Sequence, residues 1–194
     1  MSLILPFDTE TTGLPVYSEQ SNKECQPHLV EIAAFLVDET TREVVETLNV
    51  IVKPDGWSWS ADCEVFKKHG ISYDQAMEEG IPEADALQQL MAMYDKCRIR
   101  TAFNVSFDNR IMRIAQMRHG YSAEVLEEWK TNKDRYVCSM QKSRVLMPIK
   151  KTPSLVAAHA YFFGEGVFKE THRALADAVA AKEIYFALKD MGVV

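Results

Sequence analysis

Asp8 and Glu10 stand two residues apart, directly after the apolar run Leu3-Ile-Leu-Pro-Phe7. On an extended chain, residues two apart project from the same face. Two adjacent carboxylates repel each other, so this spacing at the end of a buried strand asks for a cation. Asp108 repeats the arrangement, because it follows the apolar stretch that ends at Phe103. Read alone, Asp108 is an N-cap for a helix over 109–119. Asp177 lies among Ala176, Ala178 and Val179. An acid in such surroundings faces either solvent or something positive. Four acids at the ends of separate elements form a better signal than any one of them. Hard divalent cations prefer oxygen ligands, and Mg²⁺ in particular pairs carboxylates with substrate phosphates. Two such ions about 4 Å apart can clamp the attacking and leaving oxygens of a phosphodiester.

His172 precedes Asp177 by five residues, which on a helix is about 140° away from the same face. It therefore belongs at the first turn or just before it. A neutral imidazole there could take a proton from an attacking water. Alternatively, it is a surface histidine at a helix start. His69, before Gly70, reads as structural.

The elements that must position these residues follow from pattern. Leu3–Phe7 predicts a buried first strand. Leu29–Val37 and Glu43–Val52 are β-rich runs joined by a short linker, which suits an antiparallel hairpin. Residues 15–27 are polar and aperiodic and read as a loop. Ser60 can cap a helix over Ala61–Lys68, closed by His69-Gly70. Pro82 opens another, with Ala84, Leu87, Leu90, Met91 and Tyr94 at helical spacing. Arg98–Phe103 predicts a strand, 109–119 a helix, Val137 a short strand or a helix entry, and Pro153–Phe163 a helix stopped by Gly164. His172–Met191 predicts a long alanine-rich final helix. Strands in succession, then strands alternating with helices, indicate an α/β fold with a mixed sheet. No repeat or linker appears, so one domain over 1–194 is expected.

Composition narrows the class. The chain has 194 residues, a net charge of −6 and 47% hydrophobic residues. That is enough chain to bury a full core without disulfides. A uniformly basic nucleic-acid coat is excluded, but a local patch is not. Residues 130–151 hold seven Lys and Arg against Asp134 alone, a net +6, so the remainder carries −12. Such a segment could follow a phosphate backbone. The four cysteines, Cys25, Cys63, Cys97 and Cys138, form no CxxC pair and read as reduced thiols, mostly buried. The N-terminus lacks the features of a signal peptide, and no stretch has the length of a membrane span. A soluble cytoplasmic protein with no membrane partner is expected.

In this order, the motifs Phe7-Asp8-Thr9-Glu10-Thr11-Thr12-Gly13-Leu14-Pro15, Asn104-Val105-Ser106-Phe107-Asp108 and Thr171-His172-Arg173-Ala174-Leu175-Ala176-Asp177 resemble those of the DnaQ-like 3′–5′ exonucleases with four acids and a histidine. His69-Gly70-Ile71-Ser72 and Val30-Glu31-Ile32-Ala33 are similar to further segments of that superfamily, and 137–163 resembles the exonuclease X branch. The resemblance implies an RNase H-like mixed five-stranded sheet flanked by helices. It implies Asp8, Glu10, Asp108 and Asp177 as ligands of two Mg²⁺ or Mn²⁺ ions and His172 as general base. Arg173 excludes the tyrosine variant of the superfamily. Thr11, Thr12, Leu14, Phe103, Asn104 and Phe107 are then expected to hold the terminal nucleotide, with Leu14 wedging against its base. Many relatives have His where this chain has Phe103, so Phe103 would stack on a base instead of donating a hydrogen bond. The implied partner is the 3′ end of single-stranded DNA, in proofreading or repair, with release of nucleoside 5′-monophosphates. Two other readings stay open: an exonuclease of short RNA, and a non-catalytic nucleic-acid-binding domain. Proofreading subunits often carry a tail for a polymerase. Here the sequence stops at Val194, right after the last helix, so a stand-alone nuclease is expected over a polymerase subunit.

Overall fold

The computed structural model describes residues 2–60, 62, 64–169 and 171–194. Among them, six strands form one sheet in the order β4-β3-β2-β1-β5-β6. The strands are β1 (Leu3–Thr11), β2 (Leu29–Asp38), β3 (Val44–Lys53), β4 (Ile81–Pro82), β5 (Ile99–Ala102) and β6 (Tyr136–Cys138). The expected count was five. The sixth, β4, is a two-residue strand on the edge beside β3, with too few residues to carry a pattern. β1 pairs antiparallel with β2 and parallel with β5, and β2 pairs antiparallel with β3, so the sheet is mixed.

The helices are α1 (Glu64–His69), α2 (Tyr73–Glu79), α3 (Glu83–Tyr94), α4 (Val105–Arg118), α5 (Ala123–Thr131), α6 (Ser139–Leu146), α7 (Leu155–Phe163) and α8 (Ala174–Asp190). The predicted start at Ala61, like Cys63, lies outside the described residues. Two helices escaped the sequence reading. α2 is a single short unit capped by Ser72, whose hydroxyl accepts the Gln75 amide. α5 fully buries Trp129 alone, with Val125 partly buried against the same core. Of the other cysteines, Cys97 and Cys138 are buried and Cys25 is exposed, all as free thiols.

Strand alternation sorts the core into two layers. Leu5 and Phe7 of β1, with Leu29, Ile32, Ala34 and Leu36 of β2, pack against α3 and α4. Ile4 of β1, with Ala33, Phe35 and Val37 of β2, faces the opposite way, onto Ala174, Ala178 and Tyr185 of α8. Alanines along its buried stripe let α8 lie close over β1 and β2. The period of two then puts Asp8 and Glu10 on the α8 face and Thr9 on the α4 face. None of the described helices is long and apolar enough to cross a membrane.

Candidate active site

β1 extends past the predicted end at Phe7 and carries Asp8-Thr9-Glu10 as strand residues. Between Glu10 and Thr11 the pairing with β2 shifts register, from Glu10 opposite Glu31 to Thr11 opposite Leu29. Such irregularities re-aim side chains at the ends of strands. Asp177 lies in the first turn of α8, buried. That overturns the solvent-face alternative, since the small side chains around Asp177 pack it against the sheet. Oxygen atoms of Asp8, Glu10 and Asp177 all lie within 4.8 Å of one another. Burial drives the Asp8 carboxyl well above its ordinary range, reinforced by the charges of Asp108, Glu10, Asp177 and Glu31. The donor set is entirely oxygen and strongly like-charged. It fits a hard divalent cation and little else.

Asp108 is the fourth acid. It does not cap α4, because the capping position belongs to Asn104. Instead it sits inside the first turn, 2% exposed, and accepts a hydrogen bond from Thr9 Oγ1 at 2.9 Å. Burial pushes its carboxyl up to about 7, the Thr9 hydrogen bond pulling the other way and the Asp177 charge adding to the rise. In the sequence Thr9 stands out only as part of the first motif and not as a partner of Asp108, although the alternation that pairs Asp8 with Glu10 also aims Thr9 at α4.

His172 precedes α8 by two residues, as its spacing from Asp177 predicted. Its φ is +49°, in the left-handed region that a non-glycine residue enters at a cost. What pins the segment is Glu31, at the β2 position opposite Glu10. Glu31 is 1% exposed and accepts Arg173 Nη2 at 2.6 Å, Arg173 Nε at 3.1 and 3.2 Å, and the Ala174 amide at 2.9 Å. Glu31 thus caps α8 from a neighbouring strand and fixes the residue after His172. His69 lies close enough to feel both charges of this pair. Burial lowers its imidazole to about 4, with Glu31 opposing and Arg173 reinforcing. Its Nδ1 accepts the Ile71 amide at 3.0 Å, the structural role expected of it.

The turn after β1 is closed by one threonine and anchored to His28 by the next. Thr11 Oγ1 donates to the Gly13 carbonyl at 2.7 Å, and Thr12 Oγ1 accepts the His28 amide at 2.9 Å. These bonds present Leu14, which is 76% exposed. The following segment is aperiodic in sequence but highly ordered. Gln26, buried, donates through Nε2 to the carbonyls of Val16, Glu19 and Gln20 and accepts the Val16 amide. Arg118 of α4 holds the far end through the carbonyls of Gln26 and Pro27.

Asn104 is exposed at the start of α4, and Phe107 is half-buried against the α4-side core. Phe103 corrects an expectation. Its ring packs with Leu155, Ala158, Ala180, Ala181 and Ile184. A base has no access to a ring 8% exposed inside that cluster, so Phe103 is a core residue. Within the basic segment, Arg135 is also committed, donating to the carbonyls of Tyr94 and Cys97. Lys142 donates to the Val193 carbonyl, whereas Arg144, Lys150 and Lys151 are exposed.

Residues 5–185 match the family described as Exonuclease, of RNase T type. The chain belongs to this exonuclease family, within the DnaQ-like superfamily. No curated protein matches it by sequence. Solved structures do match in fold. Escherichia coli Exonuclease I in complex with a dT13 oligonucleotide is 18% identical with a TM-score of 0.72, over 97% of this chain and 41% of that one. The zinc-bound E. coli ExoI–ssDNA complex is 19% identical at 0.73, covering 98% and 41%. A moderately thermophilic Exonuclease I from Methylocaldum szegediense is 16% identical at 0.74, again covering 98% and 41%. The chain thus spans about two fifths of the length of these proteins, and the shared architecture is the RNase H-like exonuclease fold.

Proposed function

We propose that this chain is a metal-dependent 3′–5′ exonuclease, a single domain over 1–194 that releases nucleoside 5′-monophosphates from single-stranded DNA. One observation carries the reading: oxygens of Asp8, Glu10 and Asp177 gather within 4.8 Å, with Asp108 adding its charge and His172 at the entry to α8. Asp8, Glu10, Asp108 and Asp177 would hold the cations, Mg²⁺ or Mn²⁺ and two in number. When bound, those ions supply charge neutralisation at the phosphodiester and favour both attack by water and departure of the 3′-oxygen.

The protein's own groups do the rest. His172 accepts the proton of the attacking water at an imidazole nitrogen. Glu31 and Arg173 keep it where it can do so. Leu14 rests against the terminal base, presented by the turn that Thr11 closes and Thr12 anchors to His28. Asn104 and Phe107, at the start of α4, flank the terminal nucleotide. Arg144, Lys150 and Lys151 offer charge to the phosphates further along the strand. DNA is favoured because the oligonucleotides bound by the fold's Exonuclease I neighbours are single-stranded DNA.

The test compares release of mononucleotides from DNA and RNA oligomers of matched sequence with Mg²⁺. Faster release from DNA is expected. Faster release from RNA would make the chain an exoribonuclease, and release from neither would leave only a binding domain.

A further inference from the structure

Tyr17 is a large aromatic side chain that the core does not use. It is 66% exposed, three residues beyond Leu14, on the segment that follows the catalytic turn. One face of its ring is covered: the Arg110 guanidinium lies 4.7 Å from the ring centroid. Arg110 belongs to α4, two residues after Asp108. It also donates through Nη2 to the carbonyls of Val16 at 3.0 Å and Glu19 at 3.1 Å, on either side of Tyr17. Gln26 Nε2 donates to the same two carbonyls.

An exposed aromatic ring on a loose loop would lose its conformational freedom on binding anything. Here that cost is already met, because the backbone on both sides of the ring is tied down and the ring is backed by a cation. A flat, pre-ordered π face with a positive charge behind it suits a nucleobase carried on a phosphate backbone. We propose that Tyr17, supported by Arg110, is a stacking subsite for a base upstream of the 3′-terminal nucleotide. This rests on reading the chain as a single-strand nuclease. Leu14 meets the terminal base, and Tyr17 takes one further along the strand. The subsite reads no sequence, since every base offers a π face. It favours longer single strands over dinucleotides.

Two measurements separate this subsite from the nuclease reading itself. Fluorescence anisotropy of a 5′-labelled thymidine oligomer, without divalent cation, reads binding whether or not the strand is cut. Hydrolysis of the p-nitrophenyl ester of thymidine 5′-monophosphate by the wild-type protein with Mg²⁺ reads the metal site without any upstream base. Tyr17→Ala and Tyr17→Leu should each weaken oligomer binding by about 5- to 150-fold, the range for loss of one stacked base. Tyr17→Phe, which keeps the π face, should bind within about twofold of wild type. Tyr17→Leu keeps apolar bulk over Arg110, so a loss shared by Leu and Ala belongs to the π face and not to a disturbed loop. Binding by Tyr17→Leu within about twofold of wild type would overturn the subsite. Absence of ester hydrolysis by the wild type, with the Tyr17 effect on binding intact, would overturn the nuclease reading and leave the subsite standing.

Discussion

Thr9 Oγ1 donates a hydrogen bond to Asp108 Oδ1 at 2.9 Å, tying together residues 99 positions apart, both buried. It links the strand that carries two acids to the helix that carries a third. A hydroxyl at this place orients the carboxylate and favours its ionised form, the form that ligates a cation. Thr9→Val keeps the shape and removes the donor. The half-saturating Mg²⁺ concentration for turnover should rise by about 10- to 100-fold, as for other partners of metal ligands. Thr9→Ser should restore it. A Val variant with unchanged Mg²⁺ dependence would mean that the contact is packing alone.

The Glu31–Arg173 pair predicts a different kind of loss. Arg173→Ala leaves Glu31 as a buried carboxylate without its cation. Arg173 is partly exposed, so the cost should fall at the low end for a broken buried pair, about 2–4 kcal/mol. It should also free His172 from its fixed approach to the site. A displacement of that kind lowers kcat by up to about 100-fold with little change in KM. Thermal melts and steady-state kinetics on the same variant check both. A variant with wild-type kcat would remove Glu31 and Arg173 from the positioning of His172.

The raised carboxyl of Asp108 makes a prediction about the metal-free protein. An acid with a folded value near 7 and an ordinary value of 3.8 holds its proton more tightly when folded. Its contribution to stability is therefore fully present below about pH 4 and is lost as pH rises towards 7. In chelator, melting temperature should show this downward component between those values, and Asp108→Asn should remove it. Added Mg²⁺ should restore the wild type at neutral pH. A metal-free Asp108→Asn variant with the same pH slope as wild type would contradict the raised Asp108 carboxyl described above.

Asp8, Glu10 and Asp108 stand out in the sequence because each follows an apolar run, whereas His172 and Asp177 stand out through the motif they share with the exonuclease superfamily. The hairpin, the helix-opening Pro82 and the alanine-rich α8 were legible from pattern. What pattern could not reach was the use of polar atoms. Thr11 and Thr12 look alike as nucleotide contacts, yet the Thr11 hydroxyl closes its own turn and the Thr12 hydroxyl ties that turn to the His28 amide ahead of β2. Residues 15–27 show no periodicity because their order comes from one buried glutamine and two arginines of α4 rather than from a repeating face. Phe103 was misread because a strand-end aromatic gives no sign of which face it takes. Only the packing of α7 and α8 beneath it decides. Glu31 sat in a recognisable segment, but its partner is 142 residues away and invisible to local spacing.

The central claim is that the acid cluster organises cation-dependent hydrolysis from a 3′ end. The most direct measurement follows a single-stranded DNA oligomer labelled at either end, with wild type and Asp8→Ala, in Mg²⁺ and in chelator. The wild type should release the 3′-terminal label first, as a nucleoside 5′-monophosphate, in Mg²⁺ only. Asp8→Ala should release none, while melting at or above the wild-type temperature without metal, because one repelling charge is gone. Release in chelator, release from the 5′ end first, or undiminished release by Asp8→Ala would contradict the account.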